Sequence, residues 1–306
     1  MQHKQFNRTF KKDEMQEHFE KFGYVIVKNF ISEDKVDYLR GVYKETETVV
    51  EDRAFYISQW SDKKELKFKI NNAVQEIFLP EAEKYLVDYE PVFGVFGVKL
   101  PKPDSAMYLH GDWSHVDETN FRTVNIWCPL LDINENNGAV CLIKGSNRIF
   151  DYIRGAAIPD AFHNFTQEDL QKYLSDIYLK KGDAIMWDHA IVHGSRVNKS
   201  PDTRVAAVLN MKPKAAKFYL YFANPPLAPS TIDVYEPPKN FFLTNDSANN
   251  PDLIKEASVL VEQIPYESPS VSKEEIESFL EKEFGFRVNE SKRGKLKKFL
   301  FSILKS

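Results

Sequence analysis

The chain has 7 histidines, and one of them stands where it could do chemistry: the run Leu109-His110-Gly111-Asp112-Trp113 sets an imidazole and a carboxylate two positions apart. On a strand or at a strand end, positions i and i+2 face the same side, so both groups reach one metal ion from one direction. A third ligand must come from elsewhere in the chain. His193, in Ala190-Ile191-Val192-His193-Gly194-Ser195, lies at the end of a predicted strand, far enough along for a rolled sheet to return to the same place. Two imidazoles and one carboxylate form the facial triad that holds non-haem Fe(II) and leaves positions open for a cosubstrate and O₂. Arg204 opens the next apolar run, and a hairpin after His193 would set its guanidinium near the metal. A fixed bidentate cation there suits the far carboxylate of a keto dicarboxylic acid whose other end binds the metal.

Each piece has a plainer reading. An isolated H-x-D arises by chance, a lone buried histidine is more often a hydrogen-bonded structural residue, and an arginine usually meets solvent or an ion-pair partner. There are also rivals: His115-Val116-Asp117 is a second H-x-D, and His189 precedes His193 by four residues. Residue types alone leave these alternatives open; the order and spacing of His110, Asp112, His193 and Arg204 favour the first set.

Elements able to position such a set can be read from the same sequence. Residues 13–22 predict a helix that stops at Gly23, followed by the short β-branched strand Tyr24-Val25-Ile26-Val27. Ser32 offers an N-cap for a second helix ending near Glu47, and residues 63–87 predict another helix, or two broken near Pro80. From residue 91 the texture changes to short apolar runs (PVFGVFGVKL, TVNIWCPLL, GAVCLI, DAIMWDHAIVH, RVAAVLNM) separated by Gly, Asn, Asp and Pro. Such spacing predicts a mainly β protein with flanking helices, its core a sandwich or jelly roll. No G-x-G-x-x-G or Walker sequence is present, which removes dinucleotide and ATP chemistry.

The expected layout is a catalytic domain over 1–215, with a helical N-terminal part and a core over about 91–212, then a C-terminal extension over 216–306. Within the extension, the aromatic segment Phe218 to Tyr235 would either fold over the pocket as a lid or pack against the core, and a helix is expected from about 272 to 283. The final SKRGKLKKFLFSILKS reads as a basic amphipathic helix. It would lie on an anionic membrane surface, or else dock on its own domain or a partner subunit.

Composition sets outer bounds. At 306 residues the chain can bury a full core, and 23 Phe with 14 Tyr supply aromatic stock for packing or for lining a pocket. A net charge of −4 gives no field to recruit nucleic acid, so none is expected as a partner. Cys128 and Cys141 both sit in apolar strand-like runs and read as free thiols. A polar N-terminus and the lack of any run near the ~18 apolar residues needed to span a bilayer point to a cytoplasmic protein, peripheral at the membrane if the terminal helix binds there. Oligomeric state leaves no signal.

The runs LHGDW, TVNIWCPLLDINENNGAVCLIKGSNR and KKGDAIMWDHAIVHGSRVNKSPDTRVAAV together resemble the phytanoyl-CoA dioxygenase family, and FEKFGYVIVKNFISEDKVDYLR resembles the helix, strand and helix that precede that family's core. The resemblance implies a double-stranded β-helix (cupin-like jelly roll) oxygenase that uses Fe(II), 2-oxoglutarate and O₂. It implies His110, Asp112 and His193 as iron ligands and Arg204 as partner of the cosubstrate's distal carboxylate, with Ser195 and Trp127 helping to hold 2-oxoglutarate. Register against the motif prefers His110 and Asp112 to the second H-x-D, leaving His115 and Asp117 to line the active-site mouth or meet substrate, or else to lie on the surface. The implied reaction is hydroxylation of a small-molecule or lipid-linked substrate with release of succinate and CO₂. Asp112 fills the place where related halogenases carry a small residue, so halogenation is disfavoured, whereas desaturation, epoxidation and ring formation stay within the same chemistry. Nothing separate signals coenzyme A. Two other classes compete: a jelly-roll metalloenzyme without 2-oxoglutarate, which would give Arg204 no task, and a binding protein that kept the fold, which would not need all four residues.

Overall fold

The computed structural model describes residues 7–46, 53–162, 164–245 and 251–285. Helix α1 (Asp13–Phe22) ends where Gly23 turns left-handed at φ +80° and its N–H bonds the Phe19 carbonyl. That turn, which only glycine makes cheaply, throws the chain directly into β1 (Tyr24–Val27). Helix α2 (Glu33–Thr46) buries Val36, Leu39 and Val42, β2 (Phe55–Ile57) follows, and α3 (Lys64–Ala82) runs unbroken through Pro80. Of the two alternatives, one helix or two broken near Pro80, the single helix forms, because Pro80 lies in the last turn, where its missing N–H costs a single bond near the helix end. Meanwhile Ile70, Val74 and Phe78, all fully buried at four-residue spacing, hold the helix to the core.

The core strands are β3 (Tyr89–Lys99), β4 (Met107–His110), β5 (Val124–Pro129), β6 (Val140–Leu142), β7 (Ser175–Ile177), β8 (Ala184–Asp188), β9 (His193–Ser195) and β10 (Arg204–Pro213), with the short helix α4 (Gln167–Gln171) before β7. They form a six-stranded sheet, β1-β8-β5-β10-β3-β2, and a four-stranded sheet, β4-β9-β6-β7, antiparallel throughout. The chain passes repeatedly from one sheet to the other, which is the connectivity of a jelly roll.

Two of these passages differ from the sequence expectation. The run from Asp183 to His193 is not one strand: β8 belongs to the larger sheet and β9 to the smaller, so His193 begins a strand instead of ending one. Asp188 makes the turn between them, its Oδ1 accepting from the Ala190 N–H and its carbonyl from the Ile191 N–H, both at 2.9 Å. The link from β9 to β10 likewise crosses between sheets, so Arg204 arrives by a crossover and not by a hairpin.

Beyond the jelly roll lie β11 (Leu220–Asn224), β12 (Thr231–Glu236), α5 (Phe241–Thr244), α6 (Pro251–Ala257), β13 (Val259–Pro265) and α7 (Lys273–Phe284). The three strands make a separate sheet, β11-β12-β13, tied to the core where Ala156 bridges Phe222. Within the segment Phe218 to Tyr235, Phe218, Phe222 and Tyr235 are buried in one cluster with Phe241 and Phe242. Helix α7 is fixed by a capping box between Ser272 and Glu275 and by Gly285 in the left-handed conformation. Its Ile276, Phe279 and Leu280 join a cluster that contains Leu109 and Val192, the neighbours of His110 and His193, each side chain stabilising the pairing by roughly 1.5–3 kcal/mol. No helix of the described residues is long and apolar enough to cross a membrane, and the basic segment 291–306 lies outside them.

Candidate active site

In the β4–β9 ladder His110 lies directly opposite His193, with ring centroids 4.5 Å apart. Nδ1 of His110 is 2.9 Å from the Tyr108 carbonyl and Nδ1 of His193 is 3.1 Å from the Ile191 carbonyl. A carbonyl only accepts, so both Nδ1 atoms carry the proton and both Nε2 lone pairs stay bare. Each bare Nε2 comes 3.7 Å from the Asp112 carboxylate, His110 at Oδ1 and His193 at Oδ2. One donor atom from each residue lies within 4.8 Å of the others, and among the described residues no second group of three His, Cys, Asp or Glu side chains converges this way.

Asp112 follows the end of β4 but is held from the opposite sheet. Its Oδ2 accepts from Asn125 Nδ2 at 2.6 Å and from the Trp187 indole at 3.0 Å. The Arg154 Nε–H bonds the Asp112 carbonyl at 2.7 Å, and Gly111 lacks a side chain because a Cβ there would meet Arg154 Cδ at 2.7 Å. Burial alone would raise the Asp112 carboxyl, but His193, His189, His110 and the Trp187 hydrogen bond hold it well below the usual range. Burial, opposed by Asp112, brings His193 down to about 4. At neutral pH Asp112 is therefore a carboxylate and His193 a neutral imidazole, the states that metal ligation requires.

The rivals have other work. Asp117 caps its own turn, accepting from Thr119 N–H and Oγ1 and from Asn120 Nδ2. Both ring nitrogens of His189 are occupied, Nδ1 by the Trp113 carbonyl at 2.9 Å and Nε2 by Asn210 Nδ2 at 2.7 Å. His115 is buried against the rings of Phe93, Phe218 and Phe242, with Nδ1 3.4 Å from Asn210 Oδ1.

The trio opens into a cavity of about 400 Å³ between the two sheets. Arg204, on β10, lines it with the side chain almost wholly buried, and its Nε and Nη1 have no hydrogen-bond partner. The guanidinium stands 5.4 Å over the Trp127 ring. Burial lowers Arg204 to about 10, so it remains a cation at neutral pH. Ser195, two residues after His193 on β9, lines the same cavity, as does Trp127. All six residues singled out from sequence thus meet at one place. Sequence reasoning missed Asn125, Arg154, Trp187 and Asn210, although each asparagine had left a sign: a polar side chain inside an otherwise apolar strand, TVNIWCPLL or RVAAVLNM. Among the described residues of the extension, the one aromatic side chain that lines the cavity is Phe242.

The donor set and the unpartnered guanidinium fit a divalent metal with a dicarboxylate beside it. The family profile of phytanoyl-CoA dioxygenase (PhyH) matches residues 19–206. Peroxisomal phytanoyl-CoA dioxygenase of Mus musculus is 23% identical over 225 residues, 63% of this chain and 66% of that protein, so the match spans just under two thirds of the relative's length. HygX from Streptomyces hygroscopicus, solved with nickel and 2-oxoglutarate bound, shares the fold at a TM-score of 0.50 and 18% identity over 67% of this chain and 88% of that one. SnoK, a non-haem α-ketoglutarate-dependent carbocyclase from nogalamycin biosynthesis, does so at 0.50 and 18% over 68% and 86%. With more than half of its residues inside the family profile and the family's motif residues gathered at one cavity, the chain belongs to the phytanoyl-CoA dioxygenase family.

Proposed function

We propose that this chain is an Fe(II)- and 2-oxoglutarate-dependent dioxygenase that hydroxylates a small-molecule substrate. The observation that carries the reading is the pairing, within one cavity, of three converging donor atoms with a buried guanidinium that lacks partners. His110, Asp112 and His193 would hold the iron, and Arg204 the distal carboxylate of 2-oxoglutarate. When bound, iron, 2-oxoglutarate and O₂ supply oxidation of a substrate C–H bond, coupled to conversion of the keto acid to succinate and CO₂.

The protein's own contribution is positioning. The Tyr108 and Ile191 carbonyls keep the two imidazoles in the tautomer that presents Nε2, and Asn125 with Trp187 fixes the rotation of the Asp112 carboxylate. Arg204 offers a charged, preorganised fork whose cost has already been met in folding, so a dicarboxylate gains charge-assisted bonds without reorganising the site. Trp127 backs that fork on one side, and Ser195 offers a hydroxyl from the β9 face. Phe93, Trp113 and Phe242 contribute apolar wall to the cavity where substrate would lie.

The test is anaerobic addition of Fe(II) and 2-oxoglutarate. A weak visible charge-transfer band is expected, followed by slow succinate formation on admission of O₂. Absence of both rejects the assignment.

A further inference from the structure

The hydrogen bonds behind the trio have a fixed polarity. The Asp112 carboxylate only accepts, so Asn125 turns its Nδ2 to it and its Oδ1 away. Asn210 must then donate through Nδ2 to Asn125 Oδ1 at 3.1 Å, and the same amide group donates to His189 Nε2. The other end of His189 agrees independently, since its Nδ1 faces the Trp113 carbonyl and must carry the proton. Asn210 Oδ1 is thereby left as an acceptor toward His115, which places the His115 proton on Nδ1. Nε2 of His115 is then a bare acceptor with no hydrogen-bond partner among the described residues. It is not one of the unpartnered atoms sealed from solvent, and the residue lines the cavity.

The charge around that lone pair is equally restricted. Arg154 and Arg204 are the cavity's arginines among the described residues, and no lysine lines it. Arg154 is fully engaged: Nη2 bonds both Glu118 oxygens at 2.7 Å, Nη1 the Tyr152 carbonyl and Nε the Asp112 carbonyl. Arg204 belongs to the cosubstrate end. The rest of the wall is largely aromatic, its other polar side chains including Gln59, Tyr108 and Asp160, and among the described residues no uncommitted cation lines it to balance a phosphate. Burial keeps His115 uncharged, at about 3.

We propose that His115 is a substrate-binding residue whose Nε2 accepts a hydrogen bond from a hydroxyl or N–H group of a phosphate-free substrate, and that this contact sets which carbon is presented for oxidation. The inference rests on the oxygenase reading above. The class it names is an alcohol or amine with an apolar body, not an acyl-CoA.

The holoenzyme and its His115→Phe variant, which keeps an aromatic ring in the cage, are compared with 4-phenylbutanol, 4-phenylbutylamine, the methyl ether of the alcohol, and palmitoyl-CoA as probes. Succinate formation above the probe-free rate is read alongside perturbation of the Fe(II)–2-oxoglutarate band. The alcohol or the amine, whichever is the donor class, should act on the wild type with the ether clearly weaker, and His115→Phe should raise the half-saturating concentration about tenfold, as expected for one lost hydrogen bond. Equal response of both proteins, response to palmitoyl-CoA alone, or no response to any probe while the band is intact overturns the proposal. Loss of the band itself in the wild type overturns the oxygenase reading instead. Independently of turnover, long-range ¹H–¹⁵N NMR of the metal-free protein must show His115 protonated on Nδ1 and bare on Nε2; the opposite tautomer refutes the chain of bonds.

Discussion

Replacing Arg204 with methionine should make the metal-free protein more stable while nearly abolishing its hold on 2-oxoglutarate. The side chain is 1% exposed, still charged at neutral pH, and two of its nitrogens have no partner. Each buried donor left unsatisfied costs about 1–3 kcal/mol. Against this, the variant loses the contact with the Trp127 ring, worth about 0.5–2 kcal/mol. With two such donors, a net gain of roughly 1.5–4 kcal/mol follows, and at about 2–4 °C per kcal/mol the melting temperature should rise by several degrees. In the loaded protein the balance reverses. Two hydrogen bonds to a charged partner, about 1.5–3 kcal/mol each, are removed, which weakens 2-oxoglutarate about a hundred- to ten-thousandfold. Thermal melts with and without 2-oxoglutarate, together with anaerobic titration of the visible band, read both halves. A variant that melts lower than wild type and still binds 2-oxoglutarate within about threefold of it would refute the reasoning.

Two further outcomes follow from buried charges around the same cavity. Lys99 is fully buried on β3, opposite Arg204 in the ladder, and burial followed by Arg204 brings its ammonium from 10.5 down to about 6. Between those values the unfolded chain holds a proton that the native protein lacks, so this group's contribution to stability grows as pH rises through the window and is lost as pH falls toward 6. Lys99→Met should therefore exceed wild type in urea stability at pH 7 by a margin that narrows toward pH 9.5; a constant margin contradicts the assignment. Arg154→Met removes the clamp on the Asp112 carbonyl and should weaken Co(II) binding about 10–100-fold with circular dichroism unchanged. Unaltered Co(II) affinity in a folded variant would show that the clamp does not position the carboxylate.

Legibility from sequence followed the strength of local signals. The H-x-D run could be read because two chemically distinctive residues sat at a strand period, and β1 and α1 because Gly23 marked their boundary. Arg204 was found although its predicted route was wrong: a crossover and a hairpin both deliver the residue after an apolar gap, and sequence alone does not distinguish them. The single strand expected through His193 failed because Asp188, Ala190 and Ile191 make their turn with hydrogen bonds inside an apolar run, without glycine or proline to announce it. Pro80 left one helix or two open, since its cost depends on how close the helix end lies. The sheet β11-β12-β13 escaped notice because its outer strand, VLVEQIP, is mostly exposed and lacks the alternation of a half-buried strand. His115 and Asn210 were visible as residues, but only the sequence of donors and acceptors leading away from Asp112 gives them their orientation.

The holding of Asp112 has a mechanical corollary. His110 and His193 stand on the four-stranded sheet, whereas Asn125 and Trp187, which grip Asp112, stand on the six-stranded one. An ion shared by the three residues is therefore a rivet through both leaves of the roll, and its occupancy at a hundred times the dissociation constant adds about 2.7 kcal/mol against their separation. Stripping the ion would loosen the seam between the leaves before it loosened either leaf, and proteolysis or amide exchange would register that seam first, along β4 and β9.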